Sequence, residues 1–381
     1  MDAQALLAER SELFSNAIAF KHNPRVPISS TFFTWKYLDA GYDLNVALRD
    51  LDILEKVNLD FHETYQFDAY SDFGWRNSIR VSDALGGKFH YVDETGEYVI
   101  ADDRVLIEAD EYQEYMADPD AFYWSKAFRR YCKDDLTIAE LNTAMLEFLA
   151  FGQFTNKMID KCINECGALI TLTMSGLIMT PVEDLFNTIR GIKGLALDIR
   201  KNREALQEML DFLWETKCQR SLEAGLTADW TGYATPLSTV FLGHSILSVK
   251  QFEELYWPYL KKIVDAAVAH DKPVYIFSES SFLRFAEFFE DIPKGIMLIH
   301  PEQDDIFEVR KRLPNIALAG GMPTSMLGHA SPQECIDYAK RLIDELGEGY
   351  VFSQDKMISY RNDVKRENLL AVNDFVRNYA Y

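Results

Sequence analysis

The chain has 381 residues and a formal charge of −21, from 39 Lys and Arg against 60 Asp and Glu. Nucleic acid or an anionic membrane would repel so acidic a surface, and no basic stripe in the sequence offsets it. Hydrophobic residues make up 48% of the chain and aromatic residues 13%, which excludes intrinsic disorder and predicts a large folded core.

Residues 1–25 are expected to contain an N-terminal helix, because apolar residues such as Phe14 and Ile18 recur there at helical spacing. The segment has no apolar run of signal-peptide length, so it does not resemble a secretory leader. No window approaches the roughly 18 consecutive apolar residues of a membrane span. The five cysteines are an odd number and do not suggest a disulfide framework. These features favour a cytoplasmic protein.

The first half of the chain mixes strand-like and helical patterns. Strands are expected at 26–35 (VPISSTFFTW) and at 57–65 (VNLDFHETY), separated by a helical stretch near 43–56. The segment 73–108 is different, because FHYVDETGEYVIADDRVLI alternates apolar and polar residues on both sides of an Asp-Glu-Thr-Gly turn. This is the pattern of a β-hairpin, interpreted as an insertion or lid beside the main fold. Helical blocks follow at roughly 110–130 and 136–165.

From residue 168 onward, short apolar runs alternate with amphipathic helices. The runs are ALITLTM, LTADWTGY, PVYIFS, GIMLIH, NIALAGG and GYVFSQ, and they are typical of a parallel sheet covered on both faces. Together with the two early strands they make eight, the number that closes a TIM barrel. An open doubly wound sheet would need a glycine-rich turn after its first strand, whereas Gly320 and Gly321 come late. We expect an α/β fold, with one (β/α)8 barrel domain over residues 1–381.

In such a barrel the chemistry lies at the C-terminal ends of the strands. The run PVYIFS leads directly into Glu279, and GIMLIH ends at His300. Because adjacent strands are about 4.8 Å apart, the two side chains can point at one atom between them. Three interpretations stay open: a pair of ligands for zinc, a metal-free acid and base, and a salt bridge at the barrel rim.

Other polar side chains follow neighbouring strand ends. Glu302 comes shortly after His300, Gln354 ends the run GYVFSQ and Asp355 follows it, and His244 lies in the loop FLGHSILS. His244, Glu302 and Asp355 are each admissible as a third metal ligand. Glu302, Gln354 and Asp355 are also candidates for binding a substrate.

Aromatic side chains near the expected strand ends provide candidates for a pocket that accepts a flat substrate. They are Tyr233 and Phe277, together with Tyr65 and Trp75. In a chain this rich in aromatic residues, most such side chains belong to the hydrophobic core.

Several stretches resemble the uroporphyrinogen decarboxylase superfamily. The similarity is good over residues 165–378, in the blocks SGLIMTPVEDLFNTIRGIKGLALDIRKNREALQEMLDFL, SILSVKQFEELYWPYLKKIVDAAVAHDKPVYIF, NIALAGGMPTSML and ENLLAVNDFV. It is looser in the first half, through ALGGKFHYVDETG and EADEYQEYMADP. The resemblance implies a TIM barrel. The superfamily contains true decarboxylases and zinc-dependent methyltransferases that work with corrinoid proteins.

The decarboxylase branch is similar in fold but not in its site. Its members carry an arginine-rich N-terminal signature that holds the carboxylates of a porphyrinogen. The corresponding stretch of this chain reads STFFTWKYLDAGYD, and the only nearby basic residues are Arg25, Lys36 and Arg49. A substrate with eight carboxylates needs clustered arginines, so porphyrinogen decarboxylation is not expected.

The methyltransferase branch that serves coenzyme M has a His-x-Cys motif where this chain has Phe277, Ser278 and Glu279. Ether-cleaving members, the first methyltransferases of bacterial O-demethylase systems, resemble this chain in using carboxylate and His ligands. The resemblance therefore implies a Zn2+ ion at Glu279 and His300, a methoxylated aromatic or similar methyl donor, and the cobalt of a corrinoid (cobalamin) on a partner protein as acceptor. A metal-free member that acts as a decarboxylase or lyase on a small acid, or a degenerate binding protein, stays open.

Overall fold

The strands of this chain fall into a barrel and a separate hairpin. The computed structural model describes residues 2–75, 77–87, 89–101, 105–171 and 177–380. In chain order the strands are β1 Ser29–Ser30, β2 Ala69–Tyr70, β3 His90–Val92, β4 Tyr98–Ile100, β5 Leu169–Ile170, β6 Leu237–Phe241, β7 Val274–Ser278, β8 Met297–Pro301, β9 Ala317–Met322 and β10 Tyr350–Gln354.

The barrel strands are all parallel to their neighbours. One sheet has the order β1-β2-β5 and the other β10-β9-β8-β7-β6. Isolated bridges join the two sheets at both seams: Ile28 pairs with Phe352, and Ile170 pairs with Tyr233. Eight parallel strands in the described part of the chain therefore close into the expected TIM barrel.

Helices surround the barrel. The α-helices are α1 Ala3–Ile18, α2 Trp35–Asp39, α3 Leu44–Ala47, α4 Leu51–Tyr65, α5 Ile79–Leu85, α6 Tyr112–Ala117, α7 Pro119–Phe122, α8 Phe128–Tyr131, α9 Ile138–Asp160, α10 Pro181–Asp184, α11 Gly191–Lys201, α12 Arg203–Leu213, α13 Gln219–Thr227, α14 Val249–Gln251, α15 Trp257–His270, α16 Ile306–Arg312, α17 Thr324–His329, α18 Pro332–Leu346 and α19 Arg366–Asn378. Wider π-helical turns occur at Tyr123–Ala127, Lys161–Glu165, Leu185–Ile189, Trp214–Cys218 and Phe252–Tyr256. Short 3-10 helices occupy Ala109–Glu111, Gly243–Ile246 and Leu283–Phe289. In the described ranges, no helix combines the length and the apolar character that crossing a bilayer requires.

The strand expected at 57–65 is wrong, because this stretch is the second half of α4. Its buried residues include Leu54, Val57 and Phe61, which follow one another at helical spacing. The Asp50 side chain accepts hydrogen bonds from the first backbone N–H groups of the helix, and Gln66 ends it in a left-handed conformation. The strand that belongs here is the short β2, which follows the helix.

The strand expected at 226–233 is also wrong. Leu226 and Thr227 end α13, and the Asp229 side chain then closes a turn by accepting hydrogen bonds from Thr231. The strand is β6, which starts at Leu237. Of the run expected at 168–174, Leu169–Ile170 forms β5 and residues 172–174 lie outside the described part. The expected hairpin is confirmed: β3 and β4 pair antiparallel.

Helix α1 covers the N-terminal end of the barrel. Phe14 and Ile18 belong to the same buried cluster as the barrel residues Leu169, Leu298 and Ala317. The interior of the barrel is therefore closed to water at this end by apolar contacts.

A buried ion cluster fastens this helix to the barrel strands. Arg10 Nε donates to Asp68 Oδ1 at 3.2 Å, and Arg10 Nη1 donates to the carbonyls of Cys166 and Gly167 at 2.9 and 2.8 Å. Arg25 binds the same Asp68 carboxylate through both terminal nitrogens. Removal of the Arg10 guanidinium would take the donor from two carbonyls and leave Arg25 as the only cation paired with Asp68 among the described contacts.

Replacement of Arg10 should therefore cost more stability than replacement of an exposed arginine. We expect Arg10→Met to lower the free energy of unfolding by about 3 kcal/mol, because it leaves the carbonyls of Cys166 and Gly167 without their donor and removes one of the two cations paired with Asp68. The control is Arg49→Met, since Arg49 pairs with Asp83 on the surface and should cost less than about 1 kcal/mol. Urea denaturation followed by circular dichroism measures both. Equal losses would contradict a structural role for the Arg10 cluster.

Candidate active site at the barrel mouth

Three carboxylates lie where β7, β8 and β10 end. Glu279 and Glu302 continue the pairing of their strands, because Glu279 N donates to the carbonyl of Phe241 and Glu302 N to that of Ser278, both at 3.0 Å. Asp355 extends β10 in the same way, through its N–H to Met322. Because parallel strands expose the same edge, these side chains meet at the C-terminal mouth of the barrel.

The pKa of Glu302 is affected by the other two carboxylates. Burial, then the charges of Glu279 and Asp355, raise the pKa of Glu302 to about 7, and Lys356 offsets part of this effect. The Asp355 carboxylate accepts hydrogen bonds from the N–H (3.0 Å) and hydroxyl of Thr324. A carboxylic acid that keeps its proton near neutral pH can donate it to a bound molecule.

A cleft of about 330 Å³ opens beside Glu302 and Asp355. Its walls come from the segments that follow β8 and β9 and from helix α18, with Asp304, Tyr338 and Arg341 among them. Asp304 is engaged with the segment after β7, since it accepts hydrogen bonds from Ser281 Oγ and Phe282 N. The cleft falls at the lower end of the size range of small-molecule sites.

His300 does not point at these carboxylates but lies in the barrel interior, where it is 1% exposed. Its Nε2 is 2.8 Å from the Gln354 carbonyl, and its Nδ1 is 3.1 Å from the Tyr275 hydroxyl. The carbonyl can only accept, so Nε2 carries the proton and Nδ1 accepts from Tyr275. Burial lowers the pKa of His300 to about 4, so the ring is neutral.

The position of His300 depends on Gly320 of β9. Strands β8 and β9 pair at Leu298 and Ile299, and beyond them the imidazole passes over Gly320 to reach β10. A Cβ atom on Gly320 would lie 2.6 Å from His300 Nε2, and Gly320 has φ +98°. Only glycine combines this backbone conformation with so close a ring.

These contacts do not fit a zinc ion at Glu279 and His300. Each nitrogen of the imidazole already has a hydrogen-bond partner inside the barrel, whereas a ligand needs a free lone pair that points at the metal. In the part of the chain that the structure describes, no group of three or more His, Cys, Asp or Glu side chains is arranged to hold a metal ion. The structure brings Glu279 next to Glu302 and Asp355 instead.

His244 lies in the short 3-10 helix that follows β6 and is fully buried. Its ring packs against Phe241 and Phe285, and its Nε2 is 3.3 Å from the Ser280 carbonyl. The segment that carries it is held by Glu183, a buried carboxyl that accepts hydrogen bonds from Gly243 N and the Tyr256 hydroxyl. Among the described residues, His244 is not part of a group of three His, Cys, Asp or Glu side chains that could hold a metal ion, so it is not a third ligand beside Glu279 and His300.

The remaining predicted residues have structural contacts. Phe277 packs edge-on against His300, with ring centroids 4.9 Å apart inside the barrel. Tyr233 precedes β6, at the opposite end of that strand from the mouth, and packs edge-on against Trp230. Gln354 is buried, and its Oε1 accepts hydrogen bonds from the backbone N–H and hydroxyl of Thr31. Of these, Gln354 is the one at the mouth.

The hairpin covers the mouth above β1 and β2. Tyr98 of β4 packs edge-on against Trp75 and Phe33, with ring centroids 5.0 and 5.7 Å apart. Phe33 follows β1 and stacks on Trp75, which follows β2, at 4.5 Å. The aromatic side chains that the sequence suggested for a pocket therefore include one, Trp75, that lies at the mouth under the hairpin.

Sequence reasoning missed three residues that shape the site. Tyr275 holds the His300 ring from below, and Thr324 holds the Asp355 carboxylate. Gly320 makes room for the imidazole. A signal for Tyr275 was present, since it lies two positions before Phe277 and so shares the inward face of β7.

Three basic residues lie near the stretch that corresponds to the arginine-rich signature of the decarboxylases, and each already has a hydrogen-bond partner. Arg25 binds Asp68, Arg49 binds Asp83, and the ammonium of Lys36 donates to Asn58 Oδ1 at 2.7 Å. These three residues therefore do not form the cluster of arginines that a molecule with many carboxylates requires.

Comparisons with known proteins agree with this architecture. The sequence profile of the family described as uroporphyrinogen decarboxylase (URO-D) matches residues 169–379. The chain belongs to the URO-D family. No curated protein sequence matches this URO-D member. A solved structure, "methyltransferase from Methanosarcina mazei", is similar with a TM-score of 0.61 over 97% of this chain and 98% of that chain, at 14% sequence identity. This likeness extends the common fold to nearly the whole chain.

The contact between Gly320 and His300 can be tested in this URO-D member by one added methyl group. We expect Gly320→Ala to lower the free energy of unfolding by about 1–3 kcal/mol more than Gly41→Ala, because it forces the buried ring from its hydrogen bonds. Gly41 is the matched control: it has φ +87° and nothing within 4 Å of an added Cβ. Urea denaturation gives the difference. Equal costs for the two variants would show that the ring is not confined.

The raised pKa of Glu302 predicts a pH-dependent stability. Between pH 4.5, which is the ordinary pKa of a glutamate, and about pH 7, Glu302 stays protonated in the folded chain but is ionised in the unfolded chain. The stabilisation is therefore complete below the lower value and is lost as the pH rises through about 7. Compared with wild type, Glu302→Gln should become relatively more stable across this window in urea denaturation. Glu63→Gln, on the exposed face of α4, should run parallel to wild type, and a parallel curve for Glu302→Gln would contradict the assignment.

Proposed function

We propose that this chain is a methyltransferase that moves a methyl group from a methoxylated aromatic compound, or a similar uncharged donor, to the cobalt of a corrinoid on a partner protein. The observation that carries the proposal is the proton-holding carboxyl of Glu302 at the barrel mouth, with its pKa near 7. The full-length likeness in fold to a methyltransferase supports the class of reaction.

The chemistry of an ether explains why such a group is useful. When the carbon–oxygen bond of an aryl methyl ether breaks, the methyl group passes to the nucleophilic cobalt and the bonding electrons stay on the phenolic oxygen. That oxygen is a poor leaving group unless its charge is neutralised. The protonated Glu302 donates its proton to the oxygen as the bond breaks, so that a phenol leaves, and solvent then returns a proton to the Glu302 carboxylate.

The charge of the mouth limits the donor. Burial is the main reason for the raised pKa of Glu302, and the charges of Glu279 and Asp355 add to it because they oppose another negative charge nearby. The same field opposes a porphyrinogen or a small carboxylic acid, which are the substrates of a decarboxylase or acid lyase. An uncharged ether meets no such penalty.

The zinc ion stays a prediction, and the proton transfer from Glu302 to the ether oxygen does not require it. The family resemblance implies a Zn2+ ion that would act as a Lewis acid on the ether oxygen, but the engaged nitrogens of His300 do not fit that role. Metal analysis of the purified protein separates the two versions of the mechanism. About one zinc per chain that is lost in Glu279→Ala and His300→Ala would restore the metal version, and an active metal-free preparation would remove it.

The proposal is tested by incubating a panel of methoxybenzenes with the enzyme and a reduced corrinoid protein. We expect methyl-cobalt absorbance to appear together with the free phenol. Glu302→Gln should lower kcat by roughly 10²–10⁴-fold, because the acid is lost. The wild-type rate should fall as the pH rises through about 7, where Glu302 loses its proton.

Glu63→Gln serves again as the control and should keep the wild-type rate. Failure of every ether in the panel to methylate the corrinoid would count against the proposal. Release of carbon dioxide from a small acid would favour the lyase alternative. An unchanged rate in Glu302→Gln would leave methyl transfer standing but would remove the acid role of this residue.

A further inference from the structure

Helix α9 exposes an apolar face that no described residue covers. The side chains of Ile138, Met145, Leu146, Phe148 and Leu149 are between 52% and 79% exposed, and together they are called the outer face of α9. At 100° per residue, Ile138, Met145 and Leu149 fall on one line along the helix, with Leu146 and Phe148 on either side. The opposite side of the helix, with Ala144, Phe154 and Met158, is buried.

The helix is well formed where this face begins. The hydroxyl of Thr137 accepts a hydrogen bond from Glu140 N, and the Glu140 carboxylate accepts one from Thr137 N. This capping box fixes the first turn. The outer face is therefore part of a regular helix and not of an irregular loop.

The outer face also lacks charge. From 141 to 156 the only charged residue is Glu147, and its carboxylate is paired with Arg80 at 2.6 Å. At the 26% charged content of the whole chain, a stretch of 16 residues would carry about four charges. An ordinary solvent-facing helix does not have this composition.

The apolar surface continues beyond α9. Phe128 and Leu141 of α9 both pack against the buried cluster that contains Ala144 of α9, and the Phe128 ring lies 5.1 Å from that of Trp124. Trp124 is 59% exposed and the neighbouring Tyr123 is 43% exposed. With about 200 Å² for a large side chain, the outer face and these two aromatic residues present on the order of 800 Å². This exceeds the roughly 300–600 Å² of the largest patch on a typical monomer.

We propose that the outer face of α9 is the surface through which two copies of this chain associate about a twofold axis. The exposed area matches the roughly 800 Å² that each partner contributes to a standard interface. In a twofold dimer the same patch meets itself, so two α9 helices pack antiparallel, with Trp124 at the edge of the contact.

The net charge of the chain favours this geometry over other ways of pairing. Two copies that each carry −21 repel one another wherever acidic surfaces meet. The outer face of α9 offers an approach without opposed carboxylates. The same charge disfavours an anionic membrane as the occupant. The site of dimerisation is independent of the reaction proposed above.

Sedimentation velocity of the full chain over a wide concentration range tests the proposal. Wild type should sediment as a dimer. The double variant Met145→Glu with Leu149→Glu should weaken the dimer by about 100-fold or more, because it buries unpaired like charges in the interface. The matched control is Val46→Glu with Leu197→Glu, whose sites are similarly exposed, at 54% and 50%, but lie on α3 and α11. It should stay dimeric.

Disulfide trapping tests the same contact without charge. Under mild oxidation, Met145→Cys or Leu149→Cys should form a covalent dimer, and Leu197→Cys should not. This second measurement stands even if the glutamate variant fails to fold, which circular dichroism reports. A wild-type monomer at all concentrations would overturn the proposal, as would a folded glutamate variant that stays dimeric. Binding of a monomeric wild type to phosphatidylcholine vesicles would assign the face to a lipid surface and would equally overturn it.

Discussion

The parallel register between β7 and β8 is the constraint on which the site depends. It pairs Tyr275 with Leu298 and Phe277 with His300, and its continuation sets Glu279 beside Glu302. Because side chains alternate across a strand, every second residue of both strands points into the barrel. The imidazole therefore falls one layer below the mouth, among apolar neighbours, while the two carboxylates reach the solvent edge. A shift of the register by one residue would exchange these environments.

The two ends of the barrel treat charge in opposite ways. At the N-terminal end, Asp68 is neutralised by Arg10 and Arg25, which stabilises the closure made by helix α1. At the mouth, burial raises the pKa of Glu302, and the charges of Glu279 and Asp355 raise it further. The paired charge of Asp68 contributes to stability. The carboxyl group of Glu302 keeps its proton near neutral pH, and its ionisation would lower the stability of the fold. This division is the usual one in a TIM barrel, where stability and chemistry lie at opposite ends.

Long periodic elements were predictable and very short strands were not. The runs that became β7 to β10 are continuous apolar stretches between amphipathic helices, so local pattern and tertiary role agree. In contrast, β1, β2 and β5 are assigned over two residues each, too short to show a period. The sequence pattern divided the helix Leu51–Tyr65 into a helix and a strand, because β-branched and aromatic residues near its end resemble a strand. The burial of Phe61 and Tyr65 against the core favours the helix instead.

The amino-acid sequence by itself determined the barrel class, the hairpin and the order of polar groups at the strand ends, because these follow from local periodicity and from the connection rules of parallel sheets. Only the tertiary structure decided what those groups do. His300 became a neutral core residue because Gln354 and Tyr275, from two other strands, take up both ring nitrogens. Glu302 became the proton-holding group because burial raises its pKa, and because the charges of Glu279 and of Asp355, which is distant in sequence, raise it further. Hydrogen-bond partners and electrostatic neighbours of this kind arise from packing between strands, and no local pattern of residues encodes them.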